Sequence, residues 1–296
     1  MLADAGPPRE SQCWLCPRSA RACRLDRGKL PQMSRGQAVK TASPLELTSR
    51  AEATHFWFRG FREFLAPVIR DLSRGRRDLR IIDCGCGTGH NIRMLSSYGR
   101  VVGFDLNDGG VAMTRASGAT VVRGDVARAP FASGLFDIAT SFDVLQCIEP
   151  DAVAVREMAR MVRPGGAVVV SMAALEMLRG DHSVSWQEVR RYTPAMARQL
   201  FTQAGLNVER VSFLFGSLFP LMLTVRMAQR LLRPFRTYRP DTDIAVPSAP
   251  VNGLLTAVVI AEAWVARHVP MPVGSSLLVV GRKLESSGGS FDPPSS

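Results

Sequence analysis

The sequence has little lysine, no long apolar run and no signal-like start. Only three of its thirty-seven basic residues are lysine, a bias that is typical of a GC-rich genome. No uninterrupted apolar stretch reaches the roughly 18–20 residues of a transmembrane helix. The start, MLADAGPPRE, lacks a basic region followed by an apolar one, so we expect no secretory signal and a cytoplasmic protein. A hydrophobic content of 46% excludes wholesale disorder.

Acidic residues are scarce relative to basic ones, but only in one part of the chain. The net charge is +11, and residues 1–80 carry sixteen of the basic residues and eight of the acidic ones. The basic excess is therefore local and does not by itself indicate a nucleic-acid partner. Residues 1–43 have no helical or strand periodicity, which predicts a disordered basic extension. Met33 offers an alternative start, so residues 1–32 are a candidate gene-start artefact.

The cysteines are too few and too scattered for a complete metal site. Cys13 and Cys16 have a spacing that suits zinc, and Cys23 follows, but the next cysteine or histidine is His55. A structural zinc site usually needs four ligands, so we expect no metal. The other three cysteines indicate a reducing compartment rather than a disulfide framework: Cys84, Cys86 and Cys147.

Short apolar strands alternate with helices over most of the chain. This alternation predicts an α/β fold, a Rossmann-like and mostly parallel sheet with helices on both faces. The expected strands are 80–83, 101–104, 120–122, 136–141, 167–171, 206–213 and 276–280. The expected helices are 45–72, 90–97, 111–116, 151–161 and 193–204, within a domain at 44–284 that a disordered tail at 285–296 follows.

A glycine-rich loop follows the first strand, in the order Asp83-Cys84-Gly85-Cys86-Gly87-Thr88-Gly89. Glycines at the carboxyl end of a buried strand let the backbone approach a ligand closely. A dinucleotide fingerprint would place its third glycine at position 90, which is His90 here. Asp83 also suits an ammonium group better than a pyrophosphate. The spacing therefore disfavours a nicotinamide dehydrogenase.

Four further motifs follow this loop in order, and together they identify a family resemblance. They are Val101–Leu106, Gly124-Asp125-Val126, Phe136–Leu145 and Val162–Gly166. With the glycine loop, the series resembles the class I S-adenosylmethionine-dependent methyltransferases over about residues 45–285. The marking residues His55–Arg59 and the apolar insertion are similar to a bacterial, poorly characterised subgroup.

The resemblance implies S-adenosylmethionine as the cofactor and a seven-stranded sheet whose last strand is antiparallel. It implies that the glycine loop lines the methionine part, that Asp105 accepts hydrogen bonds from the ribose hydroxyls, and that Asp125 meets the adenine. The cofactor residues implied are Asp83, Gly85, Gly87, Gly89, Asp105, Leu106, Asp125, Val126 and Phe142. Trp57, Arg59 and Arg191 are candidates for substrate contact.

One position departs from the family pattern. Many relatives read Asp-Val-Leu-Glu-His after the fourth strand, where this chain has Gln146 and Cys147. A catalytic role at this position is therefore in doubt. A hydroxyl or amine acceptor would still benefit from a general base. The catalytic candidates are Asp143, His182 and Tyr192, with His55 and Glu188 as further titratable groups.

The insertion at 216–273 lies between the sixth and seventh strands. In the methyltransferase fold that connection falls on the ligand-binding edge, so we expect the insertion to cap the substrate cleft. Its two apolar helical stretches, 218–232 and 254–265, favour a small-molecule or lipid-like acceptor. They favour either packing on each other or peripheral contact with the inner membrane surface.

The sequence thus predicts methyl transfer to an oxygen or nitrogen of such an acceptor. Two alternatives stay open: a nucleic-acid or protein methyltransferase, and a catalytically inactive cofactor-binding relative. We expect no nucleic-acid partner, because no base-flipping motif or aromatic-basic platform is evident. The acceptor molecule and the oligomeric state are left open.

Overall fold

The computed structural model describes residues 44–232 and 245–285. The predicted extension at 1–43, the Cys13, Cys16 and Cys23 thiols, most of the Pro-rich linker and the tail beyond residue 285 lie outside these residues. Seven strands form one sheet: β1 Leu79–Cys84, β2 Gly99–Asp105, β3 Val121–Arg123, β4 Phe136–Phe142, β5 Val162–Ala173, β6 Leu206–Leu214 and β7 Ser276–Lys283.

Nine helices are described beside short 3-10 turns. They are α1 Pro44–Ala51, α2 Phe56–Ser73, α3 His90–Leu95, α4 Asp108–Ala116, α5 Asp151–Met161, α6 Asp181–Ser185, α7 Pro194–Gln203, α8 Phe219–Leu231 and α9 Ala249–Ala266. The helix α6 was not predicted, since its five residues fall in a stretch that reads as a loop.

The strand order is β3-β2-β1-β4-β5-β7-β6. Strands β1 to β5 pair in parallel, whereas β7 runs antiparallel to β5 and β6. This confirms the predicted Rossmann-like methyltransferase sheet. The chain reverses its winding at β1, between β2 and β4, and ligands bind outside the carboxyl ends of the strands at such a point.

The single helix predicted over 45–72 is wrong, because the chain breaks at residues 52–55. His55 takes an extended conformation and caps α2, and its Nδ1 accepts a hydrogen bond from the Trp57 backbone N–H at 3.1 Å. The separate helix α1 is thereby free to fold over the glycine loop, where Thr88 donates a hydrogen bond to Glu52 at 2.5 Å.

The fifth strand also begins earlier than predicted. The motif Val162–Gly166, which precedes the predicted strand 167–171, is already part of β5, and Val162 pairs with Phe136 across a register shift. Residues Gly166–Ala173 of this strand are all buried, since both faces of the central sheet are covered.

A hydrophobic core fills the space between the sheet, α2 and α9. Phe61, Phe64, Leu65 and Val68 recur at helical spacing on α2 and are all buried. The helix α9 packs against α2, while α8 contacts the turn at Glu176–Leu178. In the described part of the insertion, each helix therefore packs chiefly on the domain rather than on the other helix.

Gly60 sets how closely α2 and α9 approach each other. A β-carbon at this position would overlap Cγ1 of Val259 and lie 3.0 Å from its Cβ. We expect Gly60→Ala to lower the free energy of unfolding by about 1–3 kcal/mol, because the clash exceeds the gain of about 1 kcal/mol in helix propensity. Thermal and denaturant unfolding measure this difference.

Gly253 provides the matched control for that substitution. It also lies in a helix, α9, but a β-carbon there meets nothing within 4 Å. Gly253→Ala should therefore stabilise the protein by up to about 1 kcal/mol. Adding Val259→Ala to Gly60→Ala should recover part of the loss by making room. A Gly60→Ala protein as stable as the wild type would contradict the close packing of α9 on α2.

Candidate active site

One cavity of about 480 Å³ lies at the carboxyl ends of the parallel strands. Its volume is in the range of ligand-binding clefts. The segments after β1, β2 and β3 line one side, and those after β4 and β5 line the other, because β1 and β4 are neighbours in the sheet. Residues of α1, α2 and α8 complete the walls. The fold thus brings four of the five sequence motifs to one edge, whereas Val162–Gly166 lies at the start of β5, beside the start of β4.

The glycine loop is held against the neighbouring strand by its backbone. The amides of Gly85 and Cys86 donate to the Phe104 carbonyl at 2.6 and 3.3 Å. Gly85 and Gly87 both line the cavity and have φ angles of 78° and 51°, which favour glycine. At Gly85 and Gly87 the loop therefore presents backbone to a ligand, beside the lining residues Cys86 and Thr88.

Asp105 ends β2 and lines the same cavity. Its carboxylate accepts hydrogen bonds from the backbone N–H groups of Gly87 and Asn107, both at 2.7 Å. A carboxylate has about four acceptor sites, so capacity remains for hydroxyl donors of a ligand. The position suits a ribose diol, as the sequence predicted.

An apolar slot adjoins Asp105. Leu106 lines the cavity with 61% of its surface exposed, and Val126 lies among the buried lining residues. An exposed leucine beside a carboxylate at a ligand edge is the kind of apolar surface that a flat base covers. Asp125 stands next to Val126, and its side chain accepts from the Ala127 N–H at 2.9 Å. Phe142 lines the cavity from the end of β4.

Two of the cofactor residues implied by the motifs do not line the cavity. Asp83 is 2% exposed and accepts a hydrogen bond from Thr140 at 2.7 Å. Burial, opposed by that hydrogen bond, raises its pKa to about 7. Gly89 is buried at the start of α3 against Thr114. Asp83 and Gly89 therefore contact the protein interior and do not face the cavity.

The residues present fit S-adenosylmethionine. The lining combines a carboxylate with acceptor capacity for a diol, an apolar slot and loop backbone at two glycines. Gly85, Gly87, Asp105, Leu106, Asp125, Val126 and Phe142 would hold the cofactor. The site was predicted as a set of motifs, and the cavity brings seven of the nine implied residues together.

Asp143 stands where β4 ends, on the other side of the cavity. It has a φ of 56°, unusual for a residue other than glycine, and such backbone strain often occurs at functional sites. Asp143 as a residue is exposed, and it lines the cavity. The Ser171 hydroxyl donates to its carboxylate at 3.1 Å. Desolvation by the enclosing protein, with Glu188 nearby, raises the pKa of Asp143 to about 6.

Glu188 and Arg191 form an ion pair in the same wall. Their side chains are 3% and 8% exposed, and the Arg191 Nε lies 3.0 Å from the Glu188 carboxylate. Arg191 also donates to the Ala174 carbonyl and the Ser183 hydroxyl. Most of its donors are therefore engaged within the protein, so its main effect is to hold Glu188 in place.

The two residues that depart from the family pattern have structural partners. Gln146 is buried and its side-chain oxygen accepts from the Ala173 N–H at 3.4 Å. Cys147 donates to the Trp186 carbonyl at 3.2 Å, and burial raises the pKa of its thiol to about 12. Cys147 is thus a neutral thiol at physiological pH and unsuited to act as a base.

The other catalytic candidates differ in whether they line the cavity. His182 lines the cavity beside Trp186. Tyr192 does not, because it is 1% exposed and its hydroxyl donates to Asp151 at 2.8 Å, which corrects its prediction as a catalytic candidate. His55 lines the cavity, but its ring caps α2 and burial lowers its pKa.

The two substrate candidates on α2 also differ in whether they line the cavity. Trp57 lines the cavity and stacks on Phe215 at a centroid distance of 3.7 Å, so it serves both the wall and the core. Arg59 is exposed and is not among the lining residues, which corrects its prediction as a substrate contact.

Several lining residues were missed because their positions depend on long-range packing. Glu52 reaches the glycine loop only because the chain breaks before α2. Met222 and Arg226 enter the wall from α8. For Met222 and Arg226, the sequence supported only the general prediction that the insertion caps the cleft. In the described part of the chain, no group of three or more potential metal ligands occurs.

Comparison with known proteins identifies the family. Residues 82–170 match the family model described as Methyltransferase domain. Over 143 residues the chain is 32% identical to demethylmenaquinone methyltransferase of Mycolicibacterium vanbaalenii, covering 48% of this chain and 59% of that protein. Over 168 residues it is 28% identical to the malonyl-acyl-carrier-protein O-methyltransferase of Erwinia pyrifoliae, covering 56% and 62%.

The chain spans about three fifths of the length of these two curated relatives. Among solved structures, it is similar to a chain of the Haloferax volcanii complex that contains the Trm112 methyltransferase activator. The TM-score is 0.52 and the identity 21%, and the match covers 82% of this chain and 95% of that chain. At such identity the likeness shows the fold alone.

The family model covers β1 to β5 apart from the ends of the outer two, and thus the glycine loop, Asp105, Asp125 and Asp143. These are the segments that build the cavity. The methyltransferase domain at residues 82–170, the relatives and the fold together support a class I S-adenosylmethionine-dependent methyltransferase.

Proposed function

We propose that the protein transfers a methyl group from S-adenosylmethionine to an oxygen or nitrogen of a small-molecule or lipid-like acceptor. The observation that carries this proposal is the single cavity lined both by the cofactor residues and by the carboxylates of Asp143 and Glu188. Both sets reach one space, so an acceptor beside Asp143 would adjoin the cofactor.

The chain's own residues supply orientation and a place for a proton. When bound, the cofactor supplies an activated methyl group for in-line displacement. Holding two reactants in line can contribute up to ~7–11 kcal/mol. Asp143, with its pKa near 6, is mostly ionised at neutral pH and can accept a proton from a hydroxyl or an ammonium group. The Ser171 hydroxyl donates to its carboxylate, and the Asp143 backbone N–H donates to the Ser171 carbonyl on β5.

The walls around Asp143 support a partly apolar acceptor. Trp57, Phe58, Phe61, Trp186 and Met222 all line the cavity. Ring and thioether surfaces favour apolar or aromatic ligands. The names of the two relatives, a demethylmenaquinone methyltransferase and an acyl-carrier-protein O-methyltransferase, support the same acceptor class.

Two measurements test the proposal in sequence. Isothermal titration should give saturable binding of S-adenosylmethionine and S-adenosylhomocysteine and none of NAD. The protein incubated with labelled methyl donor and host lipid and metabolite extracts should then place label in one acceptor fraction. NAD binding alone would overturn the assignment. Cofactor binding without label in any lipid, metabolite, nucleic-acid or protein fraction would instead identify a catalytically inactive relative.

A further inference from the structure

The helix α9 is apolar over most of its surface, and only one side is covered. Its mean hydropathy is 1.5, and it is long and apolar enough to cross a membrane by length and composition. Large apolar side chains remain exposed along it, at Val251, Leu254, Val258, Ile260, Trp264 and Val265. A helix that is hydrophobic all round normally lies within a large core or in a lipid environment.

The covered side of α9 is fixed to the domain by polar contacts. Asn252 accepts from the Phe56 N–H and donates to the Thr54 carbonyl, both at 2.9 Å. Glu262 is 7% exposed and accepts from the backbone N–H groups of Gly216 and Ser217 at 2.7 and 2.9 Å. These bonds join the two ends of α9 to the domain surface. The helix is therefore placed to lie on a bilayer rather than to cross it.

Exposed apolar residues are concentrated in the insertion. Thirteen of the nineteen exposed large hydrophobic side chains in the described residues lie between 221 and 269. Exposed apolar surface of this density normally marks an interaction site. The helix α8 contributes Leu221, Val225, Met227 and Leu231, and the last of these is 79% exposed.

The charges around this surface match an anionic partner. Glu262 is the one acidic residue in the described part of the insertion, and it is buried. Arg230 and Arg267 are exposed at the ends of α8 and α9. The intervening sequence adds Arg233, Arg236 and Arg239 against Asp241 and Asp243. Apolar helices beside arginines are typical of segments that lie in the membrane interface.

Trp264 and its neighbours strengthen the choice of a lipid surface over a protein partner. Trp264 is 61% exposed in the last turns of α9 and lies against His268, with Arg267 beside it. Tryptophan and cationic side chains at one end of an apolar helix favour the headgroup region of a bilayer. A second copy of this chain would instead bring like-charged arginines together.

We propose that the described part of the insertion, residues 216–232 and 245–273, binds the surface of an anionic bilayer through the exposed face of α9. The same insertion lines the cavity with Met222 and Arg226. If the proposed function holds, a lipid-like acceptor therefore meets the cavity next to the bilayer. Membrane binding itself requires no turnover, so its test is independent of methyl transfer.

Vesicle flotation with the full chain tests this proposal. The wild type should float with vesicles of phosphatidylcholine and phosphatidylglycerol, and less with phosphatidylcholine alone or at high salt. The double variant Leu254→Glu/Val258→Glu, outside the cavity lining, should lose about tenfold or more in partitioning, since two exposed aliphatic side chains that would enter the bilayer become charged. Met196→Glu, on α7 and 42% exposed, is the matched control and should float as the wild type does.

Each outcome decides the proposal. Circular dichroism and S-adenosylhomocysteine titration establish that the double variant is folded. A folded variant that floats as well as the wild type would overturn the proposal, as would a wild type that floats with neither vesicle. A concentration-dependent dimer that the double substitution dissolves, without flotation, would assign the surface to a second copy of the chain instead.

Discussion

Replacing Asp143 by asparagine is expected to lower kcat for methyl transfer by about 10²–10⁴-fold and to leave the Kd for S-adenosylhomocysteine unchanged. Asp143 follows β4, on the side of the cavity where we propose that the acceptor binds, whereas the implied cofactor residues after β1, β2 and β3 lie on the other side. Asparagine keeps the shape of the side chain but cannot accept a proton. Single-turnover kinetics with the acceptor found by label transfer, together with titration, measures both quantities.

The pKa of Asp143 also predicts how the rate of methyl transfer changes with pH. Desolvation by the surrounding protein raises the pKa of Asp143 to about 6, so the carboxyl group stays protonated to a higher pH than a fully hydrated one. The basic form is the ionised one. The wild-type rate should therefore rise with pH through about 6 and level off above it, and Asp143→Asn should lose that limb.

Ser171→Ala distinguishes a general base from a purely structural role. The Ser171 hydroxyl donates to the Asp143 carboxylate and so lowers its pKa against the effect of burial. Removing this hydroxyl should shift the ascending limb to higher pH while keeping the plateau. An Asp143→Asn protein that retains the wild-type kcat and the same limb would contradict the assignment and direct attention to Glu188.

The same raised pKa affects stability in the opposite direction. An unfolded aspartate titrates near 3.9, so between about pH 4 and 6 the folded state binds more protons at Asp143 than the unfolded one. The stability from this group is fully present below pH 4 and is lost as pH rises through 6. A site that favours base catalysis therefore weakens the fold at neutral pH.

The sequence predicted the sheet well because its signals are local. Each parallel strand is a short apolar run that ends in a glycine, an aspartate or a turn, and such patterns depend on neighbours in the chain. The positions of Gly85, Gly87 and Asp105 followed from the motif order. The fold then places them on one edge, since parallel strands share a carboxyl end.

The break before α2 could not be predicted from the same signals. The run from Phe56 to Val68 has helical spacing, and the residues before it do not contradict a helix. What ends α1 is the capping role of His55, which is not a preferred capping residue. The contact between Glu52 and Thr88 depends on this break and was therefore missed.

Motifs also identify a site without fixing which side chains face it. Asp83 belongs to the glycine motif, yet it turns into the core toward Thr140, which lies on β4. Tyr192 is fixed by Asp151, forty-one positions earlier in the chain. Both side-chain positions depend on contacts between segments that are distant in the chain. The local sequence pattern therefore does not predict them.

Asp105 carries the other large predicted effect, which falls on cofactor binding. Asp105→Ala should raise the Kd for S-adenosylhomocysteine by about 10- to 100-fold. A hydrogen bond to a charged group contributes about 1.5–3 kcal/mol, and a factor of ten corresponds to about 1.4 kcal/mol. The substitution removes the expected ribose acceptor. It also releases the Gly87 and Asn107 amides that the carboxylate orders.

Asp108→Ala is the matched control for this substitution, because it removes a carboxylate of the same type three residues away. Asp108 is exposed, pairs with Arg123 at 2.7 Å and is not among the lining residues. The Asp108→Ala substitution should leave the Kd for S-adenosylhomocysteine unchanged, since an exposed ion pair contributes little. Asp105→Asn should fall close to Asp105→Ala if the charge is what binds the hydroxyls. Equal Kd values for Asp105→Ala and Asp108→Ala would show that the carboxylate at the end of β2 does not hold the cofactor, and the motif resemblance would then have lost its main chemical support.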